Sequence, residues 1–315
     1  MAQTFRIGPL ALALTAASSI WLGAQDVQLH VLPVQGSVYM LAGAGANITV
    51  HVGKDGVLLV DTPPAELVPR VMAEVRKLSD KPVRYIVNTS ADAEHNGGNA
   101  ALIGPAAARG TGGAPFGAIG FTRPAIVAHE NVLNRLSNAS AGQPAPAASL
   151  PTTTYFLPSM DFSFNGEPVV VLHQPAAHTD GDSIVWFRRS DVLSVGDLVR
   201  LDRYPVIDVE RGGSIDGMIA ALDRIIEITV PERLQDGGTR AIPGHGRLCN
   251  EADIVEYRDM VAIVRDRIQD FVKKGMTIEQ VRAARPTRDY DTRYGSGDAF
   301  VDAGYKTLGS KRGAK

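Results

Sequence analysis

A polar turn at residues 88–99 sets the architecture expected of this chain. It directly follows an apolar run with strand character, residues 83–87, and it carries Asp92, Glu94 and His95 before a glycine pair and a predicted helix. Carboxylates placed this close together repel each other unless a cation or a basic partner offsets their charge. The turn therefore indicates either a cation site or a solvated acidic loop.

Three later loops favour the cation site. His178, Asp197 and His245 each stand next to an apolar run that reads as a strand. Imidazole nitrogens and carboxylate oxygens are the donors that Zn²⁺ and related divalent ions take from proteins. We therefore expect these loops to converge with the central turn.

The remaining residues predict an α/β fold. Short β-branched runs between residues 27 and 60 predict an antiparallel meander, and Asn165-Gly166 predicts a hairpin in the second half. Residues 67–78 and 252–274 have apolar positions at helical spacing. Two strand-rich halves, each followed by helices, predict a sandwich of two mixed sheets with helices outside.

Several short motifs occur in a fixed order along the chain: Val60-Asp61-Thr62, Asn88-Thr89, Gly97-Gly98-Asn99, His178 to Ser183, Gly196-Asp197 and Pro243 to Gly246. Together they resemble the metallo-β-lactamase superfamily from roughly Leu29 to His245, with a helical tail beyond. The resemblance implies a four-layer αββα sandwich whose metal loops gather along one edge, and it implies that Asp61 braces those loops.

The chain departs from the superfamily at its central His-x-His-x-Asp-His motif. Ser90, Asp92, Glu94 and His95 stand at the motif's ligand positions, so two histidines are missing and the aspartate is a glutamate. The usual three-histidine site cannot form. His178 is its one remaining ligand, with Asp92 as a candidate replacement, and such a pair would hold an ion only weakly.

The second site of the superfamily is better preserved, and the resemblance implies that it holds one divalent ion. Its predicted ligands are Glu94, His95, Asp197 and His245. Zinc is the expected metal, although the added carboxylate shifts preference toward manganese or iron. Asp92 and Glu94 are the predicted catalytic carboxylates, with Asp92 as general base or as an extra ligand.

Two weaker expectations concern the surroundings of this site. Arg203 and Tyr204 are predicted substrate contacts at the pocket mouth, the alternative being an ordinary surface loop. Asp180 and Asp182 resemble residues that shape the turn around His178. Either is expected to bond the ring nitrogen of His178 that does not face metal.

The first residues predict export. Residues 1–24 combine Arg6, an apolar stretch and a small-residue cleavage site, as in a signal peptide, the alternative being an uncleaved anchor. Residues 25–315 are then a single domain with C-terminal helices and a basic tail from about residue 309. The protein is expected to be periplasmic or secreted. The single Cys249 excludes an intramolecular disulfide and favours a buried thiol over a metal ligand.

Composition limits the partners. A formal net charge of −2 and a pI near 6.4 give no electrostatic case for nucleic acid or an anionic membrane surface. Gly-, Ala- and Pro-rich stretches at residues 104–120 and 137–151 predict loops over a pocket for a small-molecule substrate.

The expected function is an exported metallo-hydrolase that cleaves an ester, lactone, amide or related bond. The first alternative is a ligand-binding protein that keeps the fold with a degenerate site, in which Asp92 and Glu94 bond neighbouring groups instead of metal. The second is an iron-dependent oxidoreductase, because the superfamily's di-iron members carry carboxylate-bearing variants of the motif. No flavin-binding domain is predicted to supply its electrons.

Overall fold

The structure is a computed structural model that describes residues 28–104, 123–138 and 144–313. The predicted export signal and nearly all of the first predicted loop lie outside the described residues, as does part of the second loop. No helix within the described ranges is both long enough and apolar enough to cross a bilayer.

The first sheet has seven strands in chain order. They are β1 (His30–Gln35), β2 (Val38–Ala42), β3 (Ile48–Gly53), β4 (Gly56–Val60), β5 (Val83–Val87), β6 (Ala125–His129) and β7 (Thr153–Tyr155). Strands β1 to β4 pair antiparallel, which confirms the predicted meander, and β4 to β7 pair parallel. The sheet is therefore mixed, and the loops after β4 and β5 leave it at the same edge.

The second sheet has six strands in the order β13-β12-β11-β10-β9-β8. They are β8 (Ser159–Phe164), β9 (Glu167–Gln174), β10 (Asp182–Phe187), β11 (Val192–Arg200), β12 (Arg240–His245) and β13 (Cys249–Asn250). Only β11 and β12 pair parallel. Asn165 and Gly166 join β8 to β9 at φ values of 53° and 81°, as a type I′ turn requires.

The described residues contain nine α-helices. They are α1 (Val68–Leu78), α2 (Ala93–Asn96), α3 (Asn99–Ile103), α4 (Glu130–Ser137), α5 (Ile215–Ile228), α6 (Glu251–Lys273), α7 (Ile278–Ala283), α8 (Asp291–Tyr294) and α9 (Asp298–Gly313). Helix α9 continues to Gly313, so most of the segment expected as a basic tail is helical.

Three apolar clusters fill the spaces between adjacent layers. Side chains alternate along β4, so Leu58 and Val60 face the cluster between the two sheets while Val57 and Leu59 face the cluster under α1. The third cluster joins the outer face of the second sheet to α5, α6 and α9. This is the expected four-layer αββα sandwich of two mixed β-sheets flanked by helices.

Hydrogen bonds tie the two sheets together at the edge where the polar loops emerge. The side-chain amide of Asn47, ahead of β3, donates to the carbonyl oxygens of Pro243 and Gly246 at 2.9 Å each. The backbone nitrogen of Ser183 in β10 donates to the carbonyl of Thr89 at 2.9 Å. Loops from distant parts of the chain are therefore held side by side.

Candidate metal centre

Four side chains with metal-binding chemistry converge at this edge. Glu94 and His95 lie in α2, Asp197 lies in β11, and His245 ends β12. One ligand atom from each lies within 4.8 Å of the ligand atoms of the other three. His95 and Asp197 are buried, whereas Glu94 and His245 are partly exposed. The cluster therefore has a buried floor and one side open to solvent.

The spacing and the unsatisfied atoms of this cluster fit a divalent ion. Nε2 of His95, Oδ1 of Asp197 and Nε2 of His245 are buried without a hydrogen-bond partner, which is costly unless a ligand satisfies them. Nε2 of His245 lies 3.3 Å from Oε1 of Glu94 and 3.6 Å from Oδ1 of Asp197. A tetrahedral site with bonds of about 2.0–2.1 Å has edges of about 3.3 Å between ligand atoms.

Asp61 orients His95. Its carboxylate accepts hydrogen bonds from N and Oγ1 of Thr89 and from Nδ1 of His95, each at 2.7 Å. The bond at Nδ1 leaves Nε2 as the nitrogen that faces the cluster. Burial lowers the pKa of His95, but the charges of Asp61 and Asp197 raise it well above its usual value. Asp61 thus contacts both Thr89 and His95, as expected of a residue that braces this loop.

Arg200 holds one oxygen of Asp197 and leaves the other free. Nη1 of Arg200 lies 3.3 Å from Oδ2 of Asp197 and 3.9 Å from Oε1 of Glu94. Burial raises the pKa of Asp197, but the charges of His95 and Arg200 outweigh it and hold that pKa well below its usual value. Gly244 lies directly against Oδ1 of Asp197, where the Cβ of any other residue would collide with it.

Asp92, His178 and Asp197 form a second group of candidate ligand atoms within 4.8 Å of one another. In this group Nε2 of His178 lies 2.6 Å from Oδ2 of Asp92, and the guanidinium of Arg211 donates to Oδ1 of Asp92. Burial lowers the pKa of His178, but the bond to Asp92 and nearby carboxylate charges raise it to about 9. The group is an internal network of opposite charges.

These contacts do not leave Asp92 free for the predicted role of general base. Burial raises its pKa, but the bonds and charges of His178 and Arg211 outweigh this and hold the pKa at about 2. A carboxylate with so low a pKa accepts a proton poorly near neutral pH. Glu94 is partly exposed, and its Oε1 lies 3.3 Å from Nε2 of His245 and 3.9 Å from Nη1 of Arg200.

The expectation that Asp180 or Asp182 bonds the ring of His178 is wrong. Nδ1 of His178 donates instead to the carbonyl oxygen of Val206 at 2.8 Å. Asp182 accepts from N and Oγ1 of Thr179, three residues earlier, so its oxygens are taken by a local turn. Asp180 pairs with Arg135 at 2.7 Å.

The two predicted substrate contacts lie in different environments. Arg203 is exposed and donates to Asp202. This bond and, to a smaller extent, the charge of Glu94 raise the pKa of Arg203. Tyr204 is buried, and its hydroxyl donates to the carbonyl oxygen of Thr287 and to Asp291 at 3.0 Å each. The prediction for Tyr204 is therefore wrong, because helices beyond the metal loops cover it.

Cys249, His129 and His173 also carry side chains that can bind metal, but they lie outside both groups. Cys249 is buried with its thiol on the carbonyl of Ala241, and burial raises its pKa to about 12. His129 stacks on His173 with ring centroids 3.6 Å apart, and Nε2 of His173 bonds the carbonyl of Asp180. None of the three belongs to either group found among the described residues.

Sequence reasoning missed Arg200 and Arg211. Arg200 ends β11, in which every residue is buried, so a charged residue closing an apolar strand beside Asp197 was an available signal. Arg211 lies in a 3-10 helix, Val209–Arg211, with no motif around it, and nothing in the sequence marks it. The sequence therefore identified the acidic groups but not the cations that face them.

Comparison with known proteins gives one family. A family model described as the metallo-beta-lactamase superfamily matches residues 41–237. No curated protein matches the chain.

Solved structures show the same fold. A metallo-beta-lactamase from Pontibacter korlensis has a TM-score of 0.56 and 16% identity, over 75% of this chain and 99% of its own. The stereoselective inverting sec-alkylsulfatase Pisa1 from Pseudomonas sp. has a TM-score of 0.66 and 17% identity, over 88% of this chain and 50% of its own. The DIM-1 metallo-beta-lactamase has a TM-score of 0.55 and 16% identity, over 75% of this chain and 97% of its own.

Proposed function

Because this chain belongs to the metallo-beta-lactamase superfamily, we propose that it is an exported metal-dependent hydrolase with one well-formed metal site. Its substrate is a small molecule with an ester, lactone, amide or related bond. The observation that carries this proposal is the convergence of Glu94, His95, Asp197 and His245, because one buried atom from each of the last three has no hydrogen-bond partner.

These four side chains are the residues that would hold the ion, and zinc suits their nitrogen and oxygen donors best, with manganese or iron as alternatives. A divalent ion supplies Lewis acidity, which lowers the pKa of water and polarises a carbonyl or phosphoryl oxygen.

The protein's own residues orient the site and manage the proton. Asp61 fixes the ring of His95, and Arg200 fixes Oδ2 of Asp197, so both ligands are positioned before substrate arrives. Glu94 is the carboxylate at the open side, and its oxygen that does not face His245 accepts a proton from water. Hydrolysis then forms a bond from the water oxygen to the carbonyl carbon and breaks the C–O or C–N bond. The proton passes to the leaving oxygen or nitrogen.

Two observations bear on the type of bond that is cleaved. The loss of histidine at Ser90 and Asp92 argues against β-lactam hydrolysis of the familiar two-zinc kind, since a three-histidine site cannot form. The fold match to an alkylsulfatase extends over more of this chain than the matches to β-lactamases do. A sulfate ester therefore belongs in the first set of substrates tested.

A degenerate, non-catalytic ligand-binding protein is the second candidate function. The observation that favours it is that protein cations already face the carboxylates, with Arg211 bonded to Asp92 and Arg200 lying 3.3 Å from Asp197. In this case the charges would be satisfied internally and the pocket would bind a ligand without turning it over.

Elemental analysis of the purified full-length protein separates the two functions. We expect close to one equivalent of Zn, Mn or Fe, lost in His95→Ala and in His245→Ala and retained in His173→Ala, a partly buried histidine outside the cluster. Hydrolysis of ester, lactone, amide, β-lactam and sulfate-ester substrates should disappear in the same two variants. The hydrolase proposal would be overturned if the purified protein contained no metal and its stability did not change when metal was added. N-terminal sequencing of protein from the periplasmic fraction or the medium tests export.

A further inference from the structure

Arg211 extends a guanidinium into the second group of candidate ligands. Its side chain bonds Oδ1 of Asp92. Asp208 aims it, because Oδ2 of Asp208 accepts from Nε of Arg211 at 2.5 Å and Oδ1 accepts from the backbone nitrogen of Arg211 at 2.9 Å. Both oxygens of Asp208 are therefore used on one residue, and the short helix itself fixes the direction of the guanidinium.

The ring of His178 is equally committed. Nε2 of His178 lies 2.6 Å from Oδ2 of Asp92, and Nδ1 of His178 donates to the carbonyl of Val206 at 2.8 Å. With Nδ1 bonded to a backbone carbonyl, Nε2 is the only ring nitrogen left for a metal. An incoming ion would have to break the bond from Nε2 to Asp92 and also displace Arg211.

We infer that the guanidinium of Arg211 stands in for a second metal ion and keeps divalent cations out of the group formed by Asp92, His178 and Asp197. Arginine suits this role because it stays charged at any working pH and bonds carboxylates along fixed directions. It also repels a dication held a few ångströms away. Asp92 is thus already bonded to two side chains, His178 and Arg211, whereas three buried atoms of the first cluster have no hydrogen-bond partner.

This inference deepens the proposed function and rests on it for the first ion, since Arg211 then decides that the site holds one ion rather than two. It makes a claim about metal count that needs no substrate. The variant Arg211→Met keeps a long side chain and removes the charge. The side chain of Arg211 is 29% exposed.

The matched control is Arg265→Met. Its side chain is 25% exposed and bonds Asp216 at 2.6 Å, away from both candidate groups. Each full-length protein is equilibrated with Zn²⁺ or Mn²⁺, passed through a desalting column and assayed by elemental analysis and by calorimetric titration. We expect Arg211→Met to bind one more equivalent than wild type and Arg265→Met to match wild type.

A double variant locates the extra ion. Adding Asp92→Asn to Arg211→Met should return the number of bound metal equivalents to that of wild type. The electron paramagnetic resonance spectrum of Mn²⁺-loaded Arg211→Met should show the coupling of two neighbouring Mn²⁺ ions. If Arg211→Met fails to fold, Asp208→Asn is tested instead. This variant keeps Arg211 but weakens the contact with Asp208 that orients its guanidinium, so the second ion should bind at raised metal concentration.

An unchanged count in both Arg211→Met and Asp208→Asn, or two ions in wild type, would overturn the inference. Wild type without metal and Arg211→Met with one equivalent would support it while removing the proposed single-ion hydrolase. Failure of this inference and failure of the proposed function are therefore distinguishable.

Discussion

Replacing Asp61 with Asn tests whether a buried residue outside the candidate ligand set controls the proposed metal centre. Asp61 is buried and accepts three hydrogen bonds of 2.7 Å, two from Thr89 and one from Nδ1 of His95. Asn keeps the size and tolerates the positive φ of 66°, but it loses the charge and replaces one acceptor with a donor. If that donor faces His95, the ring proton must move to Nε2, the nitrogen aimed at the cluster.

The structure gives two separate magnitudes for this change. A hydrogen bond to a charged group contributes about 1 kcal/mol more than a neutral one, so three such bonds predict a loss of about 3 kcal/mol in the free energy of unfolding. Removing the partner that orients a metal-binding histidine weakens metal affinity about 10–100-fold, which is about 1.4–2.7 kcal/mol. Only the second loss is specific to the metal.

The matched control is Asp182→Asn. Asp182 accepts from N and Oγ1 of Thr179 at 2.7 and 2.8 Å, the same pair of bonds that Asp61 makes with Thr89, but no histidine bonds it. Metal affinity is measured by competition with a chelator, and stability by urea unfolding without metal. Asp61→Asn should lose affinity while Asp182→Asn changes it less than about three-fold. Equal affinity losses in both variants, or unchanged affinity in Asp61→Asn, would refute the orienting role.

Three further predictions concern the rest of the molecule. Burial and the adjacent His173 lower the pKa of His129 to about 4, so the unfolded chain binds a proton first as the pH falls. The contribution of His129 alone to the free energy of unfolding should fall by about 2 kcal/mol from pH 7 to pH 5, so the stability of wild type relative to His129→Gln, measured by urea unfolding, should fall by that amount. Gly166→Ala meets no atom within 4 Å but has a φ of 81°, so it should cost about 1–2 kcal/mol, whereas Gly309→Ala in α9 should stabilise by about 0.5–1 kcal/mol in the same assay. Burial raises the pKa of Cys249 to about 12, and mass spectrometry should find it alkylated by iodoacetamide only after unfolding.

The fold was predictable because its signals are local and agree with one another. Short β-branched and apolar runs predicted the strands of the meander, and the Asn165-Gly166 pair predicted the turn between β8 and β9. The convergence of the candidate ligands Glu94, His95 and His245 was predictable for the same reason, since polar residues at the ends of parallel strands emerge at one edge. Tyr204 was mispredicted because its environment is not local: its ring stacks on Phe300 and its hydroxyl reaches Thr287, more than eighty residues later.

The cationic side chains of the site are less constrained in sequence than the candidate ligands. A motif search therefore finds the ligands but misses Arg200 and Arg211. A metal ligand must hold one atom at a fixed distance, so its place in the strand is constrained and leaves a mark in the sequence. A guanidinium reaches its target through a long, flexible side chain, so Arg211 can serve Asp92 from a helix 119 residues away. Where histidines are missing from a metal motif, the compensating positive charge is therefore identified from the structure, as the cationic side chain that faces the remaining carboxylate. Arg211 answers that question for Asp92. For the other cluster we propose a metal ion, because three buried atoms of His95, Asp197 and His245 have no hydrogen-bond partner there.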